Sequence, residues 1–181
     1  MRCLEVPVDT HALYGWLEDA LHRHTPDIWI GVGVAVNSPA IRLENIGINV
    51  RCFDVPDING ITMNAAAIIN EGPVAHQSNL KTDQIVQSLR AAGIPAHLSF
   101  HAGTHLCNQM LYSVRQLSEQ KLLPLLSGFV HVPQSTENVA MFSDQTGPCS
   151  SMAIPTMTQA LGIAVDCAVR QFKKANKTQP S

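Results

Sequence analysis

The chain has 181 residues, of which 45% are hydrophobic and 14% are charged, and its net charge at pH 7 is −2. This length and composition predict one globular domain with a sizeable core and exclude a disordered chain. The nearly balanced charge gives no reason to expect nucleic acid or a membrane surface as a partner. No apolar run approaches the roughly 20 residues that span a bilayer.

The cysteines are odd in number and scattered, and no two of them form a CxxC pair. This pattern predicts neither a zinc site nor a disulfide framework, and it fits a reducing cytoplasm. The first residues, MRCLEVPVDT, lack the architecture of a signal peptide. The five thiols belong to Cys3, Cys52, Cys107, Cys149 and Cys167.

The first third of the chain alternates strand-like and helix-like patterns. Residues 3–8 predict a strand, Asp9 and Thr10 predict the cap of a helix, and residues 28–36 predict a strand buried on both faces. The order strand, helix, strand predicts a βαβ unit with a parallel pair of strands. The segment 42–50, which carries Glu44, predicts a further extended stretch.

The middle of the chain begins with turn residues at 54–60 and a stretch, 61–80, whose weak periodicity assigns no element. Thr82 and Asp83 then predict the cap of a helix that ends at Gly93.

Residues 94–112 predict a short buried strand, a turn and a helix. Gly103 supplies the turn and Thr104 the helix cap, so Cys107 lies in the first turn of the helix. Backbone N–H groups and the helix dipole would stabilise a thiolate there and could hold an oxyanion. A free cysteine is also often a small buried apolar residue, so the pattern alone leaves both interpretations open.

The last third predicts a short strand at 128–133 that carries His131, a polar loop at 134–151 and a final helix from about Pro155. The whole pattern predicts an α/β fold, a single three-layer α/β/α domain with a mostly parallel central sheet. This domain is expected to span residues 1–175, and a polar tail to occupy residues 176–181.

Cysteine chemistry needs a base beside the thiol and an acid that orients the base. His131 lies at a strand end and Glu44 lies among apolar neighbours, where an unpaired carboxylate would be costly. Each residue also has a structural interpretation. His131 could be a hydrogen-bonded core histidine, and Glu44 an exposed edge charge or a partner for Arg42.

The sequence around these residues resembles the pyroglutamyl peptidase I family. SFHAGTHLCNQMLY, which contains Cys107, resembles that family's cysteine signature SxSAGTYLCNxxxY. ENIGIN, with Glu44, is similar to its glutamate motif ERxAxN, and GFVHVP, with His131, to its histidine motif FxHxP. VPD followed by Gly60 resembles the IPDNxG turn.

The resemblance implies a thiol peptidase that removes N-terminal pyroglutamate from peptides through a thioester acyl-enzyme. Cys107 would be the nucleophile, His131 its base and Glu44 the group that orients His131. It also implies that no metal or cofactor is required, that the partners are N-terminally pyroglutamylated peptides, and that the enzyme is an oligomer, a tetramer or a dimer.

Several positions depart from the family pattern. Members begin with another strand and a GFEPFGG-type loop that lines the pyroglutamate pocket, and the matching segments of this chain start after both. We therefore expect altered pyroglutamate recognition. The alternatives are a divergent amide or lactam hydrolase with the same triad, or a shortened homologue with little activity. The altered positions are Val34, Ser38, Asp54, His101 and His105.

Overall fold

A computed structural model describes residues 1–146 and 149–177. The helices are α1 (Leu13–His24), α2 (Thr82–Ala91), α3 (Leu106–Gln120), α4 (Thr136–Thr146) and α5 (Ile154–Lys177). The strands are β1 (Ile28–Val34), β2 (Ile41–Glu44), β3 (Ile46–Ile48), β4 (Arg51–Phe53), β5 (Met63–Ala66), β6 (Ala75–Gln77), β7 (Ala96–Ser99), β8 (Leu126–Val132), β9 (Gln134–Ser135) and β10 (Ser151–Met152).

The central sheet has four strands in the order β1-β8-β2-β7. β1 runs parallel to β8 and β2 runs parallel to β7, whereas β2 and β8 are antiparallel. Apolar residues of α2 and α5 cover one face, and those of α1 and α3 form a second core on the other. The predicted three-layer α/β/α architecture with a mostly parallel sheet is therefore confirmed.

The two faces of the sheet differ because side chains alternate along each strand. Leu43 and Val130 belong to the core under α2 and α5. The next positions along the same strands, Glu44 and His131, therefore point to the face that α3 covers. Across the sheet, Gly33 of β1 pairs with His131, and His131 pairs with Arg42 of β2. A row of glycine and polar residues thus faces α3.

Glycines in β1 allow α3 to lie close to the sheet. A Cβ atom at Gly31 would lie 2.7 Å from the sulfur of Met110 and 2.5 Å from the ring of Phe129. Real Cβ atoms do not approach neighbours this closely, so a larger residue would push the helix or the ring away. The glycine-rich alternation of β1 is what positions the first two turns of α3.

The predicted strand at residues 3–8 and the βαβ unit that depended on it were wrong. These residues form no strand, and Val6 instead packs on the core formed by α1 and α3. β1 consequently pairs only with β8 in the described sheet, and Val34 is 56% exposed. The prediction that β1 is buried on both faces was also wrong at the C-terminal end of the strand.

The predicted loop at residues 134–151 contains β9, α4 and the first residue of β10. The hydroxyl of Ser135 accepts the N–H of Asn138 at 3.1 Å, which satisfies a donor in the first turn of α4. The polar composition concealed this helix, because the segment has no regular apolar spacing. At the end of the chain, α5 continues to Lys177, and residues 178–181 of the expected tail lie outside the described residues.

Two predicted caps act differently from expectation. The hydroxyl of Thr82 donates to the side chain of Asn45 at 3.2 Å, and that of Thr104 donates to the carbonyl of Cys52. Both residues tie a helix start to a neighbouring strand or loop rather than to the helix's own N–H groups. By contrast, Asp9 accepts the N–H groups of His11 and Ala12, both at 2.9 Å, just before α1. No described helix is long and apolar enough to cross a membrane.

Candidate active site

The structure brings Glu44, His131 and Cys107 to the face of the sheet that α3 covers. Glu44 ends β2, His131 lies one residue from the end of β8, and Cys107 is the second residue of α3. A Cβ atom at Gly33 would lie 2.8 Å from the sulfur of Cys107, and Gly33 is the register partner of His131. The thiol therefore lies against β1, the strand beside the one that carries the imidazole.

The imidazole and the carboxylate form a buried pair. His131 Nδ1 lies 2.7 Å from Glu44 Oε1, and the two residues are 5% and 0% exposed. A neutral imidazole donates from one nitrogen and accepts at the other, so a donor at Nδ1 leaves Nε2 as the acceptor. The ring also packs edge-on against Phe129, with centroids 4.9 Å apart. These contacts restrict its rotation.

Arg42 contacts the same carboxylate oxygen. Its Nε lies 3.1 Å from Glu44 Oε1, while a terminal nitrogen donates to the hydroxyl of Ser99 at 3.1 Å and to the carbonyl of His101 at 3.0 Å. The sequence left open whether Glu44 is a partner for His131 or for Arg42. In the structure, Glu44 contacts both residues. Arg42 was predicted as a possible partner of Glu44, whereas the place of Gly33 beside the thiol was not predicted from the sequence.

The thiol of Cys107 lies in surroundings that favour its neutral form. Burial, followed by the nearby charge of Glu44, raises the pKa of Cys107 to about 11, against a smaller lowering by its own backbone N–H. The expectation that the helix start stabilises a resting thiolate was therefore wrong. Desolvation and a like charge outweigh the helix dipole at this position.

The start of α3 is held from outside the helix. His105, the residue before the helix, has extended backbone angles, and its Nε2 donates to the carbonyl of Val55 at 2.9 Å. Gly103 has a φ of 82°, which a residue with a side chain rarely adopts. The first N–H groups of a helix have no partner within it, so those beside Cys107 remain available to a developing oxyanion.

Asn108 is a further residue that the sequence reasoning missed. Its side chain is fully buried, accepts the N–H of Ile48 at 2.8 Å, and donates to the carbonyls of Ile48 and Val50 at 2.9 and 3.0 Å. These bonds fasten the residue after Cys107 to the segment after Glu44. Its place inside the cysteine signature was the available signal.

The altered positions occupy different surroundings. Val34 and Asp54 are exposed, whereas Ser38 is buried and its hydroxyl donates to the carbonyl of Ala40 at 2.8 Å. His101 Nδ1 accepts the N–H of Gly103 at 3.1 Å. The ring of His105 lies against Phe53, with centroids 4.1 Å apart. Ser38, His101 and His105 therefore support local loop structure.

No group of three or more His, Cys, Asp or Glu side chains in the described part of the chain is arranged to hold a metal ion. The described site consists of a thiol, an imidazole, a carboxylate and a guanidinium. These groups suit proton transfer and attack by sulfur on a carbonyl carbon.

Comparisons of the sequence and of the structure with known proteins point to the same family. The family model described as pyroglutamyl peptidase matches residues 2–171. The pyrrolidone-carboxylate peptidase of Pyrococcus furiosus is 33% identical over 156 residues, which cover 86% of this chain and 75% of that protein. The one of Oceanobacillus iheyensis is 34% identical over 163 residues, which cover 90% of this chain and 78% of that protein. A crystal structure of pyrrolidone carboxyl peptidase from Pyrococcus furiosus superposes with a TM-score of 0.89 at 31% identity, covering 92% of this chain and 80% of that one. The chain belongs to the pyroglutamyl peptidase family.

Proposed function

We propose that this chain is a cysteine peptidase that cleaves the amide bond after an N-terminal pyroglutamate, with Cys107 as nucleophile, His131 as base and Glu44 as the orienting acid. The observation that carries the proposal is the 2.7 Å bond between His131 on β8 and Glu44 on β2, beside Gly33 of β1, against which the Cys107 thiol lies. The names of the relatives, pyrrolidone-carboxylate peptidase, support this substrate class.

Acylation begins with removal of the thiol proton. The sulfur of Cys107 attacks the carbonyl carbon that joins pyroglutamate to the next residue, not the lactam carbonyl. During this attack, Nε2 of His131 takes the proton from sulfur. The carbonyl π electrons move to oxygen, where the free N–H groups at the start of α3 stabilise the charge. Because burial raises the pKa of the thiol to about 11, the thiol is protonated at pH 7. Proton transfer to His131 therefore accompanies the attack.

The tetrahedral intermediate then collapses. The imidazolium gives its proton to the leaving amine nitrogen, the carbon–nitrogen bond breaks, and a thioester joins pyroglutamate to Cys107. Water attacks this thioester while His131 takes one of its protons. The carbon–sulfur bond breaks, the proton returns to sulfur, and free pyroglutamate leaves. Glu44 keeps the Nδ1 proton facing itself and stabilises the imidazolium at each step.

The direct test is hydrolysis of pyroglutamyl-aminomethylcoumarin by the purified chain. We expect release of the coumarin by the wild type and its loss in Cys107→Ser. Cys52→Ser serves as the matched control, because Cys52 is an exposed free cysteine on β4. No hydrolysis by the folded wild type, or full activity of Cys107→Ser, would overturn the proposal.

A second candidate is an amide or lactam hydrolase that uses the same triad on another small acyl group. It is favoured by Val34, Ser38 and Asp54, which depart from the residues of the family pattern. Coumarin amides of proline and alanine, assayed beside the pyroglutamyl amide, separate the two. A clear preference for either over pyroglutamyl would favour this candidate.

We also infer a cytoplasmic location and a dimeric or tetrameric assembly. The odd number of scattered cysteines without a CxxC pair supports the first, since this pattern is typical of proteins in reducing compartments. Exposed apolar side chains on the sheet's edge strand, Val32 and Val34, support the second. Sedimentation velocity of the purified chain tests the assembly, and a single monomeric species at micromolar concentration would contradict it.

A further inference from the structure

Arg42 is a cation that shares one carboxylate oxygen with the proposed base. Its Nε lies 3.1 Å from Glu44 Oε1, and His131 Nδ1 lies 2.7 Å from the same atom. Arg42 and His131 are register partners on antiparallel strands, so their side chains project from the same face. The other carboxylate oxygen, Oε2, is buried without a hydrogen-bond partner in the described residues.

The same guanidinium also reaches the segment that carries the thiol. Its terminal nitrogen donates to the hydroxyl of Ser99, the last residue of β7, and to the carbonyl of His101 in the following loop. That loop leads directly into the first turn of α3, which contains Cys107. One side chain therefore contacts both the orienting carboxylate and the connection to the nucleophile.

We propose that Arg42 is a positioning residue that keeps Glu44 ionised and correctly placed while His131 is neutral, and that holds the loop before Cys107. This inference rests on the proposed function of the triad. A fully buried carboxylate is costly unless it is paired, and a neutral imidazole supplies a hydrogen bond without a positive charge. Arg42 supplies that charge throughout the cycle, because a guanidinium does not lose its proton in proteins.

The arrangement also predicts how a substitution of Arg42 changes the pH dependence of the site. The titratable groups around the imidazole are Glu44 and Arg42 from β2 and Cys107 from α3, while β1 presents only Gly33. His97 of β7 lies beyond Arg42 in the same row. A fixed cation beside the imidazole disfavours its protonated form. Replacing Arg42 with a neutral residue therefore extends the protonated, inactive form to higher pH.

The test compares Arg42→Gln, Arg42→Lys and the wild type in two measurements over pH 5–9. One is kcat/KM on pyroglutamyl-aminomethylcoumarin. The other is the rate of alkylation of Cys107 by iodoacetamide, followed by peptide mapping, which requires no turnover. Arg23→Gln is the control for the lost charge, because Arg23 is an exposed residue of α1 whose partner is the exposed Asp19. Thermal unfolding of each variant checks that it is folded.

In Arg42→Gln we expect the rising limb of the pH profile to move to higher pH by about half to one unit, both for kcat/KM and for the alkylation rate. Arg42→Lys keeps the limb in place, because it keeps the charge. The plateau values of kcat/KM and of the alkylation rate fall several-fold in Arg42→Lys. Lysine cannot reach the carboxylate of Glu44 together with the hydroxyl of Ser99 and the carbonyl of His101. Arg23→Gln changes neither quantity.

An unmoved limb in folded Arg42→Gln overturns the inference, even if the plateau falls. If Arg42→Gln does not fold, a wild-type plateau in Arg42→Lys overturns it. If the wild type does not cleave the pyroglutamyl amide but the alkylation limb moves, the proposed function fails and the role of Arg42 stands.

Discussion

The thiol of Cys107 shows how one residue's surroundings decide the order of proton transfer. A cysteine at a helix start often carries a lowered pKa, yet here burial and Glu44 raise the pKa of Cys107 to about 11. The resting thiol is therefore neutral rather than one half of a preformed ion pair. Such a site depends on its base, because the nucleophile does not ionise appreciably without it.

We expect His131→Ala to lower kcat by about 10³- to 10⁴-fold with little change in KM, since the base acts in the transition state. Glu44→Gln should lower kcat less, because the amide oxygen can still accept the Nδ1–H of His131. The measurement is steady-state hydrolysis of the pyroglutamyl amide. His97→Ala is the matched control, since His97 is an exposed histidine on the neighbouring strand β7. Near-normal turnover by His131→Ala would transfer the role of base to another residue.

At the scale of elements, the close approach of α3 to β1 depends on glycine. We expect Gly33→Ala to lower kcat at least tenfold, because the new Cβ would lie 2.8 Å from the sulfur of Cys107 and 2.9 Å from the ring of Phe129. Gly15→Ala in α1 is the control, since nothing lies within 4 Å of its Cβ position. It should retain activity and gain up to about 1 kcal/mol of stability. Unchanged turnover in Gly33→Ala would show that the thiol tolerates displacement.

The carboxylate of Asp57 joins the turn at residues 57–61 to the segment just before α1. Asp57 accepts the N–H of Thr10 at 3.0 Å and also those of Asn59 and Ile61. These bonds, the one from Thr10 foremost, lower the pKa of Asp57. Because the pKa is lower in the folded state than in the unfolded state, the stabilisation is present above the unfolded value and is lost as the pH falls through the folded one.

We therefore expect the melting temperature of the wild type to fall as the pH decreases below about 4. Asp57→Asn should melt lower at pH 7 and lose part of this pH dependence. Asp19→Asn, which removes an exposed carboxylate paired with Arg23, should behave like the wild type. Thermal unfolding followed by circular dichroism between pH 2 and 7 tests this. Parallel curves for the wild type and Asp57→Asn would contradict it.

Elements with strong periodicity were predictable, and those set by distant contacts were not. The apolar faces of α1, α2, α3 and α5 follow from local spacing alone. The segment at 3–8 has the composition of a strand, but strand formation also requires a neighbour, and composition does not contain that information. Helix α4 was concealed for a different reason, since its sequence has no regular apolar spacing.

At the scale of the whole molecule, the site joins three segments that are far apart in sequence. The motifs predicted Cys107 at a helix start and His131 at a strand end, and the structure brings both to one face of the sheet together with Glu44, while the roles of the three residues stay a prediction. The bond between His131 and Glu44 Oε1 depends on the antiparallel pairing of β2 with β8, which no local pattern specifies, whereas Arg42 and Glu44 lie two positions apart on one face of β2. The pKa of the thiol was missed likewise, because it depends on burial by distant residues.

The final prediction concerns recognition by the folded molecule without turnover. A ligand that binds only the native state raises the melting temperature, and at 100 times its Kd the gain is about 2.7 kcal/mol, or roughly 5–10 °C for a chain of this size. We expect this shift from the aldehyde analogue of pyroglutamate, which forms a reversible thiohemiacetal with Cys107. Prolinal, which lacks the lactam carbonyl, should give a much smaller shift at the same concentration, since it cannot accept the hydrogen bonds that a site specific for pyroglutamate would donate to that carbonyl. Cys107→Ser should abolish most of the shift while keeping its melting temperature without ligand. Equal shifts with both aldehydes would favour the divergent hydrolase over the pyroglutamyl peptidase.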